Sequence, residues 1–160
     1  MTLSEIETAL LAKIKEELPG YDVRPYPNKP SGFVLTHPRG AVLVRFAGGR
    51  YDRTQAIDAM VQERRTDWEI TVVARNLRDH GGLYALLDVL RIALTGFRVP
   101  GCRKAMPLKE EFAGEEDGIW QYALWLAVPT VNVERGEDED LPVLKRLTLI
   151  DNFGATEEIP

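Results

Sequence analysis

The string with the most chemical promise is Asp79-His80-Gly81-Gly82. A carboxylate beside an imidazole is the pairing that a general base and its orienting group need. The same residues also suit the start of a helix, where Asp accepts from free N–H groups and Gly permits a tight approach. An apolar helical pattern begins directly after them, so capping is the favoured reading. No serine or cysteine nucleophile carries a local signature. The two histidines, His37 and His80, lie far apart, and Cys102 is the only cysteine. The close ligand pair of a zinc site is therefore missing, and Cys102 reads as a small buried side chain. Glu115-Glu116-Asp117 lacks the alternating oxygen ligands of a calcium loop and reads as a solvated turn. Gly48-Gly49-Arg50 is too short for a phosphate loop. These residues call for no cofactor and no metal, and they point away from an enzyme.

The remaining chemistry is charge. Arg45, Arg50, Arg53, Arg64 and Arg65 fall close together, interleaved with Asp52, Asp58, Glu63 and Asp67. A solubilising surface explains such a mixture. A charged contact between subunits explains it too, and Arg50, Asp52, Arg53, Glu63, Arg64, Arg65 and Asp67 are the candidate interface residues. Trp120, Tyr122 and Trp125 fall on one strand pattern with Trp125 out of phase. One of the two groups then faces a second buried surface, and interface cores are enriched in aromatics.

The whole chain sets the frame for these residues. Its 160 residues fit one domain, 44% hydrophobic and 28% charged, which is an ordinary globular balance. A net charge of -5 argues against sequence-specific nucleic-acid binding, which relies on clustered basic surface. The amino terminus has no basic region followed by an apolar run, so it does not read as a signal peptide. No apolar stretch approaches the ~20 residues of a membrane helix.

The elements follow from spacing. Ile6, Leu10, Ile14 and Leu18 recur every four residues, with Ser4 and Glu7 as a capping box and Pro19-Gly20 as the stop. Tyr21–Tyr26 reads as a short edge strand among prolines, and 28–40 is turn-rich. Ala41–Ala47 is a strand ended by Gly48-Gly49, and Gly48–Ala59 reads as a loop. A second strand covers Trp68–Ala74, with Trp68, Ile70, Val72 and Ala74 on one face, and begins as early as Met60. A second helix spans Gly82–Thr95, capped by Asp79 or His80, apolar through Leu83, Leu86, Leu87, Leu90, Ile92 and Leu94, and closed by Gly96. Lys104–Phe112 is a weaker strand, 115–118 a turn, and Ile119–Val131 a long strand with apolar groups on both faces. Residues 134–140 are an acidic run, and the last ten residues are polar and read as mobile. The order predicts an α+β domain over 1–133, a two-layer sandwich with a mostly antiparallel sheet and both helices on one face. Residues 134–160 form an acidic linker and tail.

Several strings then resemble a known family. They are Leu35-Thr36-His37-Pro38-Arg39-Gly40-Ala41-Val42-Leu43-Val44, Arg75-Asn76-Leu77-Arg78 with His80-Gly81-Gly82, Leu94-Thr95-Gly96-Phe97, and Gly114-Glu115-Glu116-Asp117-Gly118-Ile119-Trp120-Gln121-Tyr122. In order and spacing they resemble a family of small tail proteins of Mu-like phages and prophages, over residues 1–133. The resemblance implies tail completion, by a subunit of the tail-terminator type. Such a subunit would form a homo-oligomeric ring, hexameric by analogy, on the tail tube and offer a docking surface to the head connector. It would be placed in the virion tail after assembly in the bacterial cytoplasm. The resemblance supplies no catalytic residues. Head–tail joining or a baseplate role fits the same residues, and a small enzyme would need Asp79 and His80 in a concave pocket.

Overall fold

A computed structural model describes residues 1–55, 57–79 and 81–136, together with the backbone of two strands at 147–150 and 156–159. The elements are α1 (Leu3–Glu17), β1 (Asp22–Pro25), β2 (Ala41–Thr54), β3 (Val61–Ala74), α2 (Leu83–Leu94), β4 (Met106–Glu116), β5 (Ile119–Val133), β6 (Leu147–Ile150) and β7 (Thr156–Ile159). β1 to β5 form one sheet in the order β1-β2-β3-β5-β4, and β6 and β7 form a two-stranded sheet. Among the described strands only the β1–β2 pairing is parallel; the others are antiparallel. The fold is α+β.

Alternation along each strand divides the side chains between the two faces. Val42, Val44, Trp68, Ile70, Val72, Ala74, Leu124, Leu126 and Val128 share the face that packs on Ile6, Leu10 and Ile14 of α1 and on Leu83, Leu86, Leu87, Leu90 and Leu94 of α2. Both helices thus lie on one side, as their apolar stripes require. The opposite face holds a smaller cluster of Leu35, Ala41, Leu43 and Val73, with Tyr26, Phe33 and Ile119 against it. The crossover from β1 to β2 supplies Phe33 and Leu35. The Arg75 guanidinium fastens it by donating to the carbonyls of His37 (2.7 Å) and Leu35 (3.0 Å).

Several expectations need correction. The α1 capping box is formed by Thr2 and Glu5, two residues before Ser4 and Glu7. Both pairs have the right spacing. The earlier start places Leu3 against the core and leaves Ser4 inside the helix, its carbonyl accepting from the Thr8 hydroxyl. β2 does not stop at Gly48-Gly49: a bulge between Phe46 and Gly48 carries it on to Thr54, so most of the supposed loop is strand. Glycine at such a place marks a bend in a strand and not its end. Ile92 is 68% exposed, because the face set by residues 83, 86, 87, 90 and 94 turns it outward. The region read as a mobile tail contributes β7, paired with β6, where β-branched residues favour extended backbone. The acidic run is described only as far as residue 136.

Candidate assembly surface

The apolar core ends partway along the three longest strands. Val44, Trp68 and Val128 are fully buried, yet further out Tyr51 is 55% and Val133 59% exposed. Pairing continues regardless. Val61 still faces Val133, Gln62 faces Asn132, and Tyr51 faces Arg64. The outer halves of β2, β3 and β5 therefore form a three-stranded arm held by its ladders, with little of the helical layer over it. Thr66 marks the border. Its hydroxyl donates to the Val128 carbonyl (2.8 Å) and accepts from the fully buried Trp68 indole N–H (3.0 Å).

Six of the seven candidate interface residues lie on this arm and Asp67 sits just inside its border, and alternation splits them. Glu63, Arg65 and Asp67 share the face away from the helices, and Arg50 stands opposite Arg65 in register. Arg65 is forked onto Asp67 at 2.9 and 3.1 Å. Glu63 pairs with Arg103, a partner the sequence did not announce because forty residues separate them. Arg64 points to the helix side, its guanidinium 5.6 Å from the Tyr51 ring centroid, and its buried Nε has no hydrogen-bond partner among the described residues. Asp52 and Arg53 are exposed near the tip. On the same outer face Arg45 grips Glu69 through Nε (3.1 Å) and Nη2 (2.6 Å), and the Thr71 hydroxyl adds a bond at 3.2 Å. Lys109 lies 5.0 Å from the centre of the Trp125 ring. Tyr51, Val131 and Val133 went unremarked in the sequence. The apolar residues at alternate positions 131 and 133 of β5 were the available signal for two of them.

The other enzyme-like feature resolves differently. Asp79 is exposed, and His80 lies outside the described residues. Among the described residues neither Asp79 nor any other side chain caps α2, whose N-cap is Gly82. Backbone does the work: the N–H groups of Leu83 and Tyr84 donate to the carbonyls of Asn76 (2.9 Å) and Leu77 (3.0 Å). That close approach is why glycine stands at 82. A Cβ there would collide with Asn76 Oδ1 and lie 2.9 Å from both the Asn76 carbonyl oxygen and the Leu77 carbonyl carbon. Asp117 and Gly118, with φ of 52° and 77°, make the two-residue turn between β4 and β5 that needs left-handed backbone at both places. The strings that carry the family resemblance thus build helix starts, turns and the Arg75 fastening. Among the described residues no group of three or more His, Cys, Asp or Glu side chains converges as a metal site, and no helix is long and apolar enough to cross a membrane.

The model of the Gp37 protein family matches residues 10–151. The chain belongs to this family. It is a phage-associated family, which fits the phage resemblance of the strings above. The match also reaches beyond 133 into the acidic segment, a part of the chain that the resemblance did not use. No curated protein matches the chain.

Proposed function

We propose that this chain is a tail-completion protein of the terminator type, closing as a ring, six-fold by analogy, on the end of the tail tube and receiving the head connector. Its place is then the virion tail, after assembly in the host cytoplasm, and it acts by contact and not by catalysis. The phage association of the family supports a virion role. The observation that carries the assembly reading is the arm. Three strands run on past the helices with ordered ladders, exposed Tyr51, Val131 and Val133, and charges of both signs. A monomer gains little from extending a sheet beyond its core, whereas a subunit gains a surface for its neighbour. Mixed charge at such a rim sets register and association rate. Electron microscopy of the purified full-length protein, with and without purified tail tubes of its phage, tests the reading. Rings seated on tube ends are expected. Tubes whose ends stay bare at saturating protein would refute it.

A further inference from the structure

Two lengths of backbone in the main sheet have no partner among the described strands. β1 covers β2 only as far as the Pro25–Val44 pair, with one more bond from the Tyr26 N–H to the Val44 carbonyl at 2.8 Å. From Arg45 to Thr54, β2 is therefore an open edge. On the far side of the sheet β4 is outermost along its whole length, Met106–Glu116. Both stretches are exposed almost throughout. An open edge is a row of unmet N–H and C=O groups, a template on which another strand can pair.

Here the two edges are long and oppositely charged. β4 carries Glu110, Glu111, Glu115 and Glu116 against Lys109, and the open part of β2 carries Arg45, Arg50 and Arg53 against Asp52. Pairing β4 with another β4 sets carboxylate on carboxylate, and pairing β2 with β2 sets arginine on arginine. Only β4 on β2 joins unlike charges. Within one subunit Arg50 faces Arg65, which is already held by Asp67. Among the described residues Arg50 has no ion-pair partner. A like-charge pair directly across a ladder is unfavourable, and an acidic strand alongside relieves it.

Direction agrees with this pairing, and the register requires a stagger. The steps β2 to β3, β3 to β5 and β5 to β4 are each antiparallel, so β4 runs opposite to β2. Rotating a second copy about an axis inclined to the strands brings its β4 to the open β2 edge antiparallel, continuing the alternation. Glu111 stands level with Ala123, Thr71 and Leu43. The middle of the open edge is Arg50, seven residues further along β2. An offset of this kind is the stagger by which a sheet closing on itself tilts its strands. Bulges at Phe46/Gly48 and Phe112/Gly114 add the local bend that closure needs.

We infer that the acidic edge β4 of one copy joins the basic edge Arg45–Thr54 of the next, head to tail, so that the assembled ring is one continuous sheet. The inference rests on the ring reading above and specifies its contact. Two unlike edges on one subunit form the heterologous interface that a closed ring requires. The test is a charge exchange in the full chain, with rings measured by sedimentation and negative-stain counting, alone and on tail tubes, and folding by circular dichroism. Glu110→Lys with Glu111→Lys, and separately Arg50→Glu with Arg53→Glu, are each expected to weaken ring formation by about tenfold or more, with unchanged circular dichroism. The quadruple variant, or an equal mixture of the two double variants, should recover rings. Rings undiminished in both double variants, or lost and not recovered by the exchange, would overturn the edge pairing while leaving the tail-end reading intact. A wild type that forms no rings, alone or on tubes, would overturn both.

Discussion

Thr66→Val alters one oxygen at the point where the core gives way to the arm, and its cost can be worked from two bonds. Among the described residues the Thr66 hydroxyl is the one hydrogen-bond partner of the Trp68 indole N–H, and both residues are fully buried. Valine fills the same space but leaves that N–H unmet where water does not reach, a cost of about 1–3 kcal/mol. The lost bond to the Val128 carbonyl adds about 1 kcal/mol, and the new methyl returns about 0.8 kcal/mol. A net loss of about 2 kcal/mol corresponds to a fall in Tm of roughly 4–8 °C for a chain of this size. Trp68→Phe removes the indole N–H itself, so adding Thr66→Val in that background should cost at least about 1 kcal/mol less than in the wild type. Thermal and guanidinium unfolding followed by far-ultraviolet circular dichroism provides both numbers. An equal cost in the two backgrounds, or none in either, would refute the argument that this hydroxyl satisfies the buried indole.

Two further predictions concern the helix starts. Gly82→Ala should destabilise strongly, by about 2 kcal/mol or more, because the added methyl has no room beside Asn76 and Leu77. Asp79→Ala should change stability by less than about 0.5 kcal/mol; a reversal of that order in denaturant unfolding would restore a side-chain cap. At α1 the Glu5 carboxylate accepts from the Thr2 backbone N–H at 2.6 Å, and that bond, reinforced by the Thr2 side chain, holds its pKa below the ordinary value of 4.5. A lowered folded value means the contribution is complete above the unfolded pKa and is lost as pH falls through the folded one. Carbon-detected NMR titration should accordingly place the Glu5 midpoint below 4.5. Glu5→Gln should remove the acid-dependent fraying of the first turn, and a midpoint at or above 4.5 would contradict the capping geometry.

Much of this architecture was legible because burial writes itself into spacing. The β3 alternation of Trp68, Ile70, Val72 and Ala74 and the α2 stripe from Leu83 to Leu94 both sit where their periods put them. What was missed has a common cause. Gly48-Gly49 looked like a stop because local propensity says nothing of a partner strand, and here β3 continues alongside and holds the glycines in the ladder. Asp79 was read as an α2 cap because a side-chain cap is visible in sequence, whereas the carbonyls of Asn76 and Leu77 that accept from the first turn are anonymous there; His80, the other candidate, lies outside the described residues. Two overlapping capping boxes at the amino terminus were equally consistent with spacing, and packing of Leu3 separates them. The charged cluster at Arg50–Asp67 was legible in sequence, whereas the run of its strands beyond the helical layer was not. Arg64 and Arg65 are adjacent in sequence and therefore point to opposite sides of the arm. The Glu63–Arg103 pair needed the fold to bring its ends together.

The sheet has a seam that bears on how the chain reaches this structure. β2 with β3, and β4 with β5, are each hairpins between neighbours in sequence, and such units close in about 1–10 μs. The two hairpins are united only along β3 and β5, where Val61 meets Val133 and Ala74 meets Trp120. That ladder encloses the whole of α2 and the strand after it, so its formation carries the loop-closure entropy of a long intervening segment. Contacts so distant in sequence slow folding in general. The halves should accordingly form early and wait on one late docking event, and until it occurs the inner edges of β3 and β5 are as open as the outer ones are in the finished subunit.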